Sequence, residues 1–291
     1  MVHECEGRVA FVTGASRGIG AAIAERLAAA GAHVAAAARS VESAREGLPG
    51  TLQEAVARIE ARGGRAVAVR CDVLDAASRA EAIARCRERL GPIDILVNDA
   101  ASGPYRPLER QAPRDFDVTF EANVRAPLHL VQLALPDLRA RGRGWVVNVS
   151  SATAEPPSGP PYGGWDRKGG HHLYAASKAA LNRLTAGLAA ELGGDGIAVN
   201  ALAPVAAVLT AAVVSTGADR FIDPSLVEPV EAMAEAALAL ACCDPTALTG
   251  RVTYSLRLLE ELGREVRTLD GREPWRPADT ATHHPPPPRN G

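Results

Sequence analysis

A tyrosine and a lysine stand four residues apart, as Tyr174 and Lys178. In a helix this spacing places both side chains on one face, with their Cβ atoms about 5 to 6 Å apart. A free tyrosine has a pKa of about 10 and exchanges protons poorly at neutral pH, but a neighbouring cation favours its phenolate. The pair therefore predicts proton transfer to or from a carbonyl oxygen, with Tyr174 as the acid/base. Taken alone, the same spacing is weak evidence, because it is found more often on a solvated helix face.

Lysine is scarce in this chain, which makes the position of Lys178 informative. Of the 32 basic residues, only Lys168 and Lys178 are lysines. A compact ammonium suits the proposed chemistry better than the broad fork of an arginine. Chance placement of one of two lysines four residues after a tyrosine is improbable, so the count supports a catalytic role for Lys178. Lys168 gains no such support.

A glycine-rich segment, Thr13-Gly14-Ala15-Ser16-Arg17-Gly18-Ile19-Gly20, follows a candidate strand and opens a candidate helix. Glycines at such a junction let the backbone approach a pyrophosphate at the helix N-terminus. Similar turns also occur in proteins that bind no nucleotide. In this context the segment predicts a dinucleotide site that includes Gly14, Ser16, Arg17, Gly18, Ile19 and Gly20.

The end of the second candidate strand carries no acidic residue. A dinucleotide site commonly has an acid there, about 20 residues beyond the glycines, to accept a hydrogen bond from the ribose 2′-hydroxyl. Ala38 and Arg39 hold that place here. Because the repelling carboxylate is missing and Arg39 and Arg17 can pair with a 2′-phosphate, NADP(H) is favoured over NAD(H). In a chain this rich in arginine, an arginine by chance remains the alternative.

Short apolar runs alternate with longer segments of helical period, a pattern typical of βαβ units in a parallel sheet. We expect one domain over residues 1–270, an α/β fold with a single doubly wound (Rossmann-type) sheet of about seven strands and helices on both faces. The candidate strands are Arg8–Val12, His33–Ala37, Ala66–Arg70, Ile93–Val97, Trp145–Val149, Ile197–Ala201 and Arg251–Ser255, and the candidate helices lie near 19–30, 51–62, 75–90, 113–140, 172–192 and 228–242.

Two long stretches match neither element type, and a third lies at the end of the chain. Residues 152–173, rich in Pro and Gly, and residues 204–229 both follow candidate strands at the edge where open α/β sheets bind ligands. We expect them to wall a substrate site, with Tyr162, Trp165 and Asp166 in a lid; plain surface insertions are the alternative. Residues 271–291 are predicted to be a disordered tail.

Charge and hydropathy exclude several classes of partner. The formal net charge is −2 with both signs interspersed, so no basic surface for nucleic acid is expected. No uncharged apolar run approaches the roughly 18 residues that a membrane span needs, and the first residues do not resemble a secretory signal. The five cysteines, an odd number, suit reduced thiols. We expect a cytoplasmic protein that acts on a small molecule.

In their order along the chain, these motifs resemble the classical short-chain dehydrogenase/reductase family from about Gly7 to about Gly263. Thr13–Gly20 resembles the family's cofactor turn, and Leu96–Ala101 stands where the family has Asn-Asn-Ala-Gly. The catalytic tetrad of the family is matched by Asn123, Ser151, Tyr174 and Lys178, and its cofactor contacts also by Asp72, Val73, Asn98, Ala100, Pro204 and Thr210.

The resemblance implies an NADP(H)-dependent carbonyl reductase or alcohol dehydrogenase, in which hydride passes between the nicotinamide and the substrate carbon. It implies that Lys178 lowers the pKa of Tyr174 and holds the nicotinamide ribose. Ser151 would orient the substrate oxygen, and Asn123 would support a water relay. A homodimer or homotetramer through helices 113–140 and 172–192 is implied by analogy alone.

The chain departs from the family pattern at several positions. Asp99 and Ala101 replace the second Asn and the Gly of the Asn-Asn-Ala-Gly stretch, and Val205 replaces the Gly after Pro204. The Ser151-to-Tyr174 separation exceeds the family norm by roughly ten residues, which a surface loop absorbs at little entropic cost. A catalytically weak nucleotide-binding sensor or regulatory protein is therefore a second hypothesis. The glycine and Tyr–Lys spacings disfavour a sugar epimerase or an enoyl reductase.

The remaining candidates have simpler interpretations. His171 and His172 lack a carboxylate or cysteine at a recognisable ligand spacing, so no metal site is predicted. Tyr162 is a rival phenol, but its four-on position holds Asp166 rather than a cation. We expect Cys242 and Cys243 to be buried small apolar residues. We expect Arg125 and Arg183 to be solvated or interface residues.

Overall fold

A single parallel sheet forms the centre of the protein, which is described here as a computed structural model over residues 4–44, 48–205, 207–215, 222 and 227–276. Its seven strands lie in the order β3-β2-β1-β4-β5-β6-β7, and every neighbouring pair is parallel. The doubly wound, Rossmann-type fold is thus confirmed. The strands are β1 (Val9–Thr13), β2 (His33–Ala38), β3 (Arg65–Arg70), β4 (Ile95–Asn98), β5 (Gly144–Val149), β6 (Ile197–Ala203) and β7 (Val252–Tyr254).

Helices cover both faces of the sheet. One core cluster lies under α1, α2, α9 and α10, and the other under α3, α5 and α7. The helices are α1 (Gly18–Ala29), α2 (Leu52–Ala61), α3 (Ala76–Leu90), α4 (Pro113–Phe120), α5 (Ala126–Ala140), α6 (Gly164–Lys168), α7 (His172–Leu192), α8 (Ala211–Ser215), α9 (Val230–Cys242) and α10 (Ser255–Glu261). None of the helices in these described ranges is long and apolar enough to cross a membrane.

Local sequence explains where several elements begin. Thr51 and Glu54 form a reciprocal capping box at the start of α2, and the Asp75 side chain accepts a hydrogen bond from the Ala77 N–H at the start of α3. Strand β2 is buried from Val34 to Ala37, as expected for a central parallel strand covered on both faces. These caps fix the helices that follow the second and third strands.

The helix predicted over 113–140 is interrupted, which corrects that prediction. A π-helical turn, Glu121–Arg125, separates α4 from α5. Pro127 lies in the first turn of α5 and has no N–H to donate to the carbonyl four residues earlier, which favours a local departure from regular α-helical bonding. The turn carries Asn123, one of the predicted catalytic residues.

A buried ionic cluster joins α1 to α9 and to the segment after α10. Arg26 Nε donates to Glu235 Oε2 at 2.7 Å, and Arg264 Nε donates to Glu235 Oε1 at 2.6 Å. Arg264 also donates to both carboxylate oxygens of Glu4, at 2.6 and 2.8 Å. The Glu235 side chain is 1 % exposed, so its two arginines replace the water it lost on burial. This cluster, the Glu235 cluster, fixes α1, whose first residues belong to the glycine turn.

The chain after α10 forms a short hairpin. Arg267 pairs antiparallel with Pro274, and the Trp275 N–H donates to the Val266 carbonyl at 2.9 Å. The tail predicted from Gly271 onward therefore includes residues 271–276 that pair with the preceding segment. Residues 277–291, with the Pro-rich run, lie outside the described residues, as do 206, 216–221 and 223–226 of the second predicted loop.

Candidate active site

A cavity of about 2000 Å³ lies at the carboxyl ends of the strands. Pockets for a single drug-sized ligand measure roughly 300 to 1000 Å³, so the volume accommodates a dinucleotide together with a smaller molecule. Most of the predicted site residues form its wall: Gly14, Ser16, Arg17, Gly18, Ile19, Arg39, Val73, Ala100, Ser151, Tyr174, Lys178, Pro204 and Thr210. The glycine turn and the Tyr–Lys pair, distant in sequence, thus face one space.

Four predicted residues of the described chain, Gly20, Asp72, Asn98 and Asn123, lie behind this wall. Asn98 Nδ2 donates to Asn148 Oδ1 at 2.8 Å, and the Asp72 carboxylate accepts the Leu74 N–H at 3.0 Å. Their side chains shape the strand ends rather than the surface of the cavity.

Asn123 supports the catalytic helix from the side. Its amide donates to Ser177 Oγ at 2.9 Å and to the Ser102 carbonyl at 2.8 Å, and its Oδ1 accepts the Ser102 N–H at 2.9 Å. Ser177 precedes Lys178 on α7. The π-helical turn therefore contacts the helix that carries both members of the Tyr–Lys pair.

Arg79 of α3 joins that turn to the segment of the cavity wall that follows β3. It is buried and donates to the Val73 carbonyl, to His129 Nδ1 at 3.0 Å and to Glu121 Oε1 at 2.8 Å. Val73 lines the cavity after β3, whereas Glu121 begins the π-helical turn. One buried guanidinium thus holds both places.

Ser151, Tyr174 and Lys178 meet where β5 ends against α7. The Ser151 hydroxyl accepts the Thr153 N–H at 3.2 Å, which fixes it in the turn after the strand. Lys178 Nζ donates to the Val149 carbonyl at 2.7 Å and lies 5.6 Å from the centroid of the Tyr174 ring. A cation and a hydroxyl therefore flank the phenol.

Electrostatics at the phenol differ from the sequence prediction. Burial raises the pKa of Tyr174 above its ordinary value, Tyr105 and Asp99 add to the rise, and a hydrogen bond with Ser151 lowers it. The resemblance predicts that Lys178 lowers the Tyr174 pKa, but the ammonium is directed to the Val149 carbonyl. Burial lowers the pKa of Lys178 itself to about 8, against the opposing attraction of Asp99.

Asp99 occupies the space beneath the glycine turn. A Cβ atom on Gly20 would lie 2.5 Å from Asp99 Oδ2, and one on Gly14 would lie 2.7 Å from it. The Gly20 N–H donates to the Asp99 carboxylate. Thr13 Oγ1 accepts the Asp99 N–H at 3.0 Å and so fixes the residue from β1. Because neither glycine has a side chain, both leave room for the Asp99 carboxylate. The sequence alone identifies Asp99 only as a departure from the family pattern.

The glycine turn and the end of β2 form the part of the cavity where the sequence predicts the dinucleotide. Gly14 and Gly18 have φ values of 72° and 57°, in the left-handed region that glycine adopts without strain. The chain therefore turns tightly at the start of α1, where backbone N–H groups are available to an anion. Arg17 donates to the Leu48 carbonyl at 2.6 Å and to Ser40 Oγ at 3.0 Å, and exposed Arg39 lines the same end of the cavity. Both arginines therefore lie at the end of the cavity next to β2.

The loop after β6 is held in place despite Val205. Its N–H donates to Glu228 Oε2 at 3.1 Å, and Glu228 also accepts the Ser255 hydroxyl at 2.6 Å. Thr210 lies over the turn, because a Cβ on Gly18 would be 3.2 Å from its methyl carbon. The backbone N–H of Val205, rather than its side chain, thus holds this loop against the cavity.

Tyr105, Trp165, His171 and Tyr174 form an aromatic wall on the side of the cavity next to Ser151. The ring centroids lie 4.8 Å apart for Trp165 and His171, 5.7 Å for Tyr105 and Tyr174, and 6.4 Å for Tyr105 and Trp165. Of the predicted lid residues, Trp165 and Asp166 line the cavity. Tyr162 does not; it is half exposed and lies against Gly159.

The other candidates take up structural positions. His171 Nε2 lies 3.6 Å from Asp166 Oδ1, and within the described ranges no group of three or more His, Cys, Asp or Glu side chains is arranged to hold a metal. Cys242 and Cys243 are only partly buried, which corrects the expectation, and Cys242 Sγ donates to Glu4 Oε2 at 3.1 Å. Arg125 is exposed and pairs with Glu121 at 2.7 Å.

Comparison with known families agrees with this geometry. The family model described as short chain dehydrogenase matches residues 8–220. The chain belongs to this family. The match includes the glycine turn, the Tyr–Lys pair, and the strands up to β6, so the resemblance found in the motifs is confirmed.

Individual short chain dehydrogenases are similar over most of this chain. A short chain dehydrogenase of Pseudocercospora fijiensis is 38% identical over 204 residues, 69% of this chain and 60% of that protein. The gluconate 5-dehydrogenase of Gluconobacter oxydans is 35% identical over 198 residues, 68% of this chain and 70% of that protein. The chain therefore spans about three fifths of the length of the fungal relative.

Solved short chain dehydrogenase structures match the fold. A 3-oxoacyl (acyl-carrier-protein) reductase of Agrobacterium tumefaciens, crystallised with NADP bound, superposes with a TM-score of 0.72 at 32% identity. The match covers 87% of this chain and 94% of that chain. The family is one of oxidoreductases that act on alcohols and carbonyls.

Proposed function

We propose that the protein is an NADP(H)-dependent oxidoreductase that reduces a small-molecule carbonyl compound or oxidises the corresponding secondary alcohol. The proposal rests on one observation: Tyr174, Ser151 and Lys178 lie in the same cavity as the glycine turn. The NADP bound to the similar Agrobacterium reductase supports the choice of cofactor. We assign this activity to one catalytic domain over residues 1–270.

In the direction of reduction, Tyr174 donates its phenolic proton to the substrate oxygen while the carbonyl carbon receives a hydride. The nicotinamide supplies that hydride when bound. Ser151, fixed by its bond to the Thr153 N–H, donates a hydrogen bond to the same oxygen and stabilises its developing charge. The hydrogen bond between Ser151 and Tyr174 stabilises the phenolate that remains, and Lys178, 5.6 Å from the ring centroid, is assigned to the nicotinamide ribose.

The cofactor's phosphates would be held by backbone N–H groups from Gly14 to Gly20 and by the side chains of Arg17 and Arg39. Val73, Ala100, Pro204 and Thr210 would enclose its adenosine and nicotinamide ends. The hydroxyls of the nicotinamide ribose would be held by Tyr174 and Lys178. The aromatic wall is left for the substrate, with Trp165 and Asp166 as its lid.

Transfer of the label from 4-deuterated NADPH to a panel of ketones tests the activity. We expect deuterium on the carbinol carbon of at least one product, detected by mass spectrometry. Binding of NADPH without transfer to any carbonyl would instead favour a nucleotide-binding sensor or regulatory protein of weak activity.

Cofactor preference gives a separate prediction. At equal concentration NADPH should raise the melting temperature more than NADH, since a ligand stabilises the folded state by RT ln(1 + [L]/Kd). Arg39→Ala should weaken NADPH binding by about tenfold or more through loss of a charge-assisted hydrogen bond, and should change NADH binding little. Arg89→Ala, an exposed arginine of α3 outside the cavity, is the matched control. Equal shifts by the two nucleotides would refute the roles of Arg17 and Arg39.

We also propose that the protein forms a homodimer or homotetramer. Large apolar side chains on and near α4 support this: Leu108 is 74 % exposed and Phe116 is 54 % exposed, with its ring stacked on Phe120. Sedimentation analysis should give a mass of two or four chains, and Phe116→Glu should lower it. A wild-type monomer would contradict the proposal.

The cytoplasmic location, expected from the cysteine content, stays a prediction, as does the expected lack of nucleic-acid and membrane partners.

A further inference from the structure

Asp99 places a carboxylate at the N-terminus of α1, where the proposed function puts the pyrophosphate. The first turn of α1 has no acidic residue of its own. Asp99 reaches it from the end of β4 and accepts the Gly20 N–H, one of the donors that a helix start offers to an anion. Its side chain also lines the cavity. A bound pyrophosphate and this carboxylate would therefore share the same positive helix end.

The groups that face Asp99 come from three elements. From α7, the ammonium of Lys178 attracts it, and the phenol of Tyr174 is the other titratable neighbour. From α1 the Gly20 N–H binds its carboxylate, and from β1 the Thr13 hydroxyl accepts its N–H. Burial raises the pKa of Asp99 to about 7, although Lys178 and Gly20 both oppose the rise. The carboxyl thus changes charge in the neutral range.

A second negative charge beside a carboxylate favours its protonated form. We propose that Asp99 couples dinucleotide binding to proton uptake: its carboxylate takes up a proton when the pyrophosphate binds under the glycine turn. This inference rests on the nucleotide binding in the proposed function. By linkage, cofactor affinity falls as the pH rises above the range in which Asp99 is already protonated.

The same proton prepares the catalytic pair. The negative charge of Asp99 raises the pKa of both Tyr174 and Lys178. When Asp99 is neutral, its contribution to the raised pKa of Tyr174 is removed, and the pKa of Lys178 falls as well. Protonation of Asp99 therefore removes one of the negative charges that disfavour the Tyr174 phenolate.

Calorimetric titration tests the proposal, with NADPH and NADH as probes and wild type compared with Asp99→Asn. Titrations in buffers of different ionisation enthalpy, between about pH 6 and pH 9, give the number of protons taken up. We expect wild type to take up as much as about one more proton than Asp99→Asn, with a Kd that rises up to about tenfold per pH unit above neutrality. The 2′-phosphate of NADPH also titrates, but it contributes equally to both proteins and is missing from NADH.

Asp75→Asn is the matched control, because the same chemical change is made at an exposed helix cap that asparagine fills equally well. It should behave like wild type. Equal proton uptake and equal pH slopes in wild type and Asp99→Asn would overturn the role of Asp99 while leaving nucleotide binding intact. If neither nucleotide binds at any pH, the proposed function falls, and this inference with it.

The unliganded protein gives an independent measurement. Because the Asp99 pKa is raised from 3.8 to about 7 in the folded state, the folded protein binds the proton more tightly than the unfolded chain does. The melting temperature of wild type should therefore fall relative to that of Asp99→Asn between about pH 4 and pH 7, with a constant difference above that range. A constant difference throughout would contradict the shifted titration.

Discussion

Tyr174→Phe is expected to lower the rate of carbonyl reduction by about 10²-fold to 10⁴-fold, the usual contribution of a positioned proton donor. Phenylalanine keeps the ring that packs on Tyr105 and against Gly103, so NADPH should still bind, with a Kd raised by no more than about tenfold through loss of the hydrogen bond to the ribose. Single-turnover hydride transfer measures the chemical step, and a separate titration with NADPH measures binding.

Tyr162→Phe provides the control for this variant. Its phenol is half exposed and contributes nothing to the wall of the cavity within the described residues, so the rate should be unchanged. If Tyr174→Phe retained full turnover, Tyr174 would not be the acid/base, and the phenol of Tyr105 on the aromatic wall would be the next group to replace.

The second large effect is expected on stability. Glu235→Leu removes the carboxylate that Arg26 and Arg264 share and leaves the Arg26 side chain, which is 7 % exposed, beside an apolar group. Breaking a buried ion pair from one side costs about 3 to 5 kcal/mol of unfolding free energy. Urea unfolding should therefore show a lower midpoint with a similar slope.

An exposed ion pair gives the comparison for Glu235→Leu. Arg251 and Glu261 are joined at 2.7 Å on the surface. Water screens this pair, so Glu261→Leu should leave the unfolding midpoint almost unchanged. A similar loss for both variants would mean that the Glu235 cluster stabilises the protein no more than a surface pair does.

The sequence could predict features that depend on neighbouring residues. The glycine turn combines a strand, a turn and a helix start within a few residues, and the Tyr–Lys spacing needs only a helix. The seven parallel strands follow from apolar runs separated by helical segments, although their ends differ by one or two residues. These signals depend on residues that are close in sequence, so they can be recognised without knowing how the helices and strands pack.

Features that depend on packing between distant segments could not be predicted. Asp99 meets Gly20 only because β4 lies beside β1 in the sheet, and the sequence gives no sign that the carboxylate fills the space under the turn. The direction of the Lys178 side chain was also missed. Once the helix is docked, its ammonium has the Val149 carbonyl as a competing partner.

The break at Glu121–Arg125 belongs to the same class. Its residues continue the apolar period of a helix, so periodicity alone predicts one long helix over 113–140. The π-helical turn is held by contacts to other elements, among them Arg79 to Glu121 and Asn123 to Ser177. Only Pro127 marked the position in the sequence, and a proline in a first helical turn is usually compatible with a regular start.

Arg79 bonds both the segment after β3 and the π-helical turn, so neither segment can be replaced in an engineered variant without affecting the other. A designer who grafts the segment after β3 from another protein, to change the nucleotide it accepts, also replaces the carbonyl of Val73 to which Arg79 donates. The same guanidinium holds Glu121, so the graft would also disturb the π-helical turn that carries Asn123. A transplant that keeps catalysis should therefore include the whole of α3 together with Glu121. The loop at residues 48–50, held by Arg17, has no such link to Arg79 among the bonds described and is the simpler place to redesign cofactor choice.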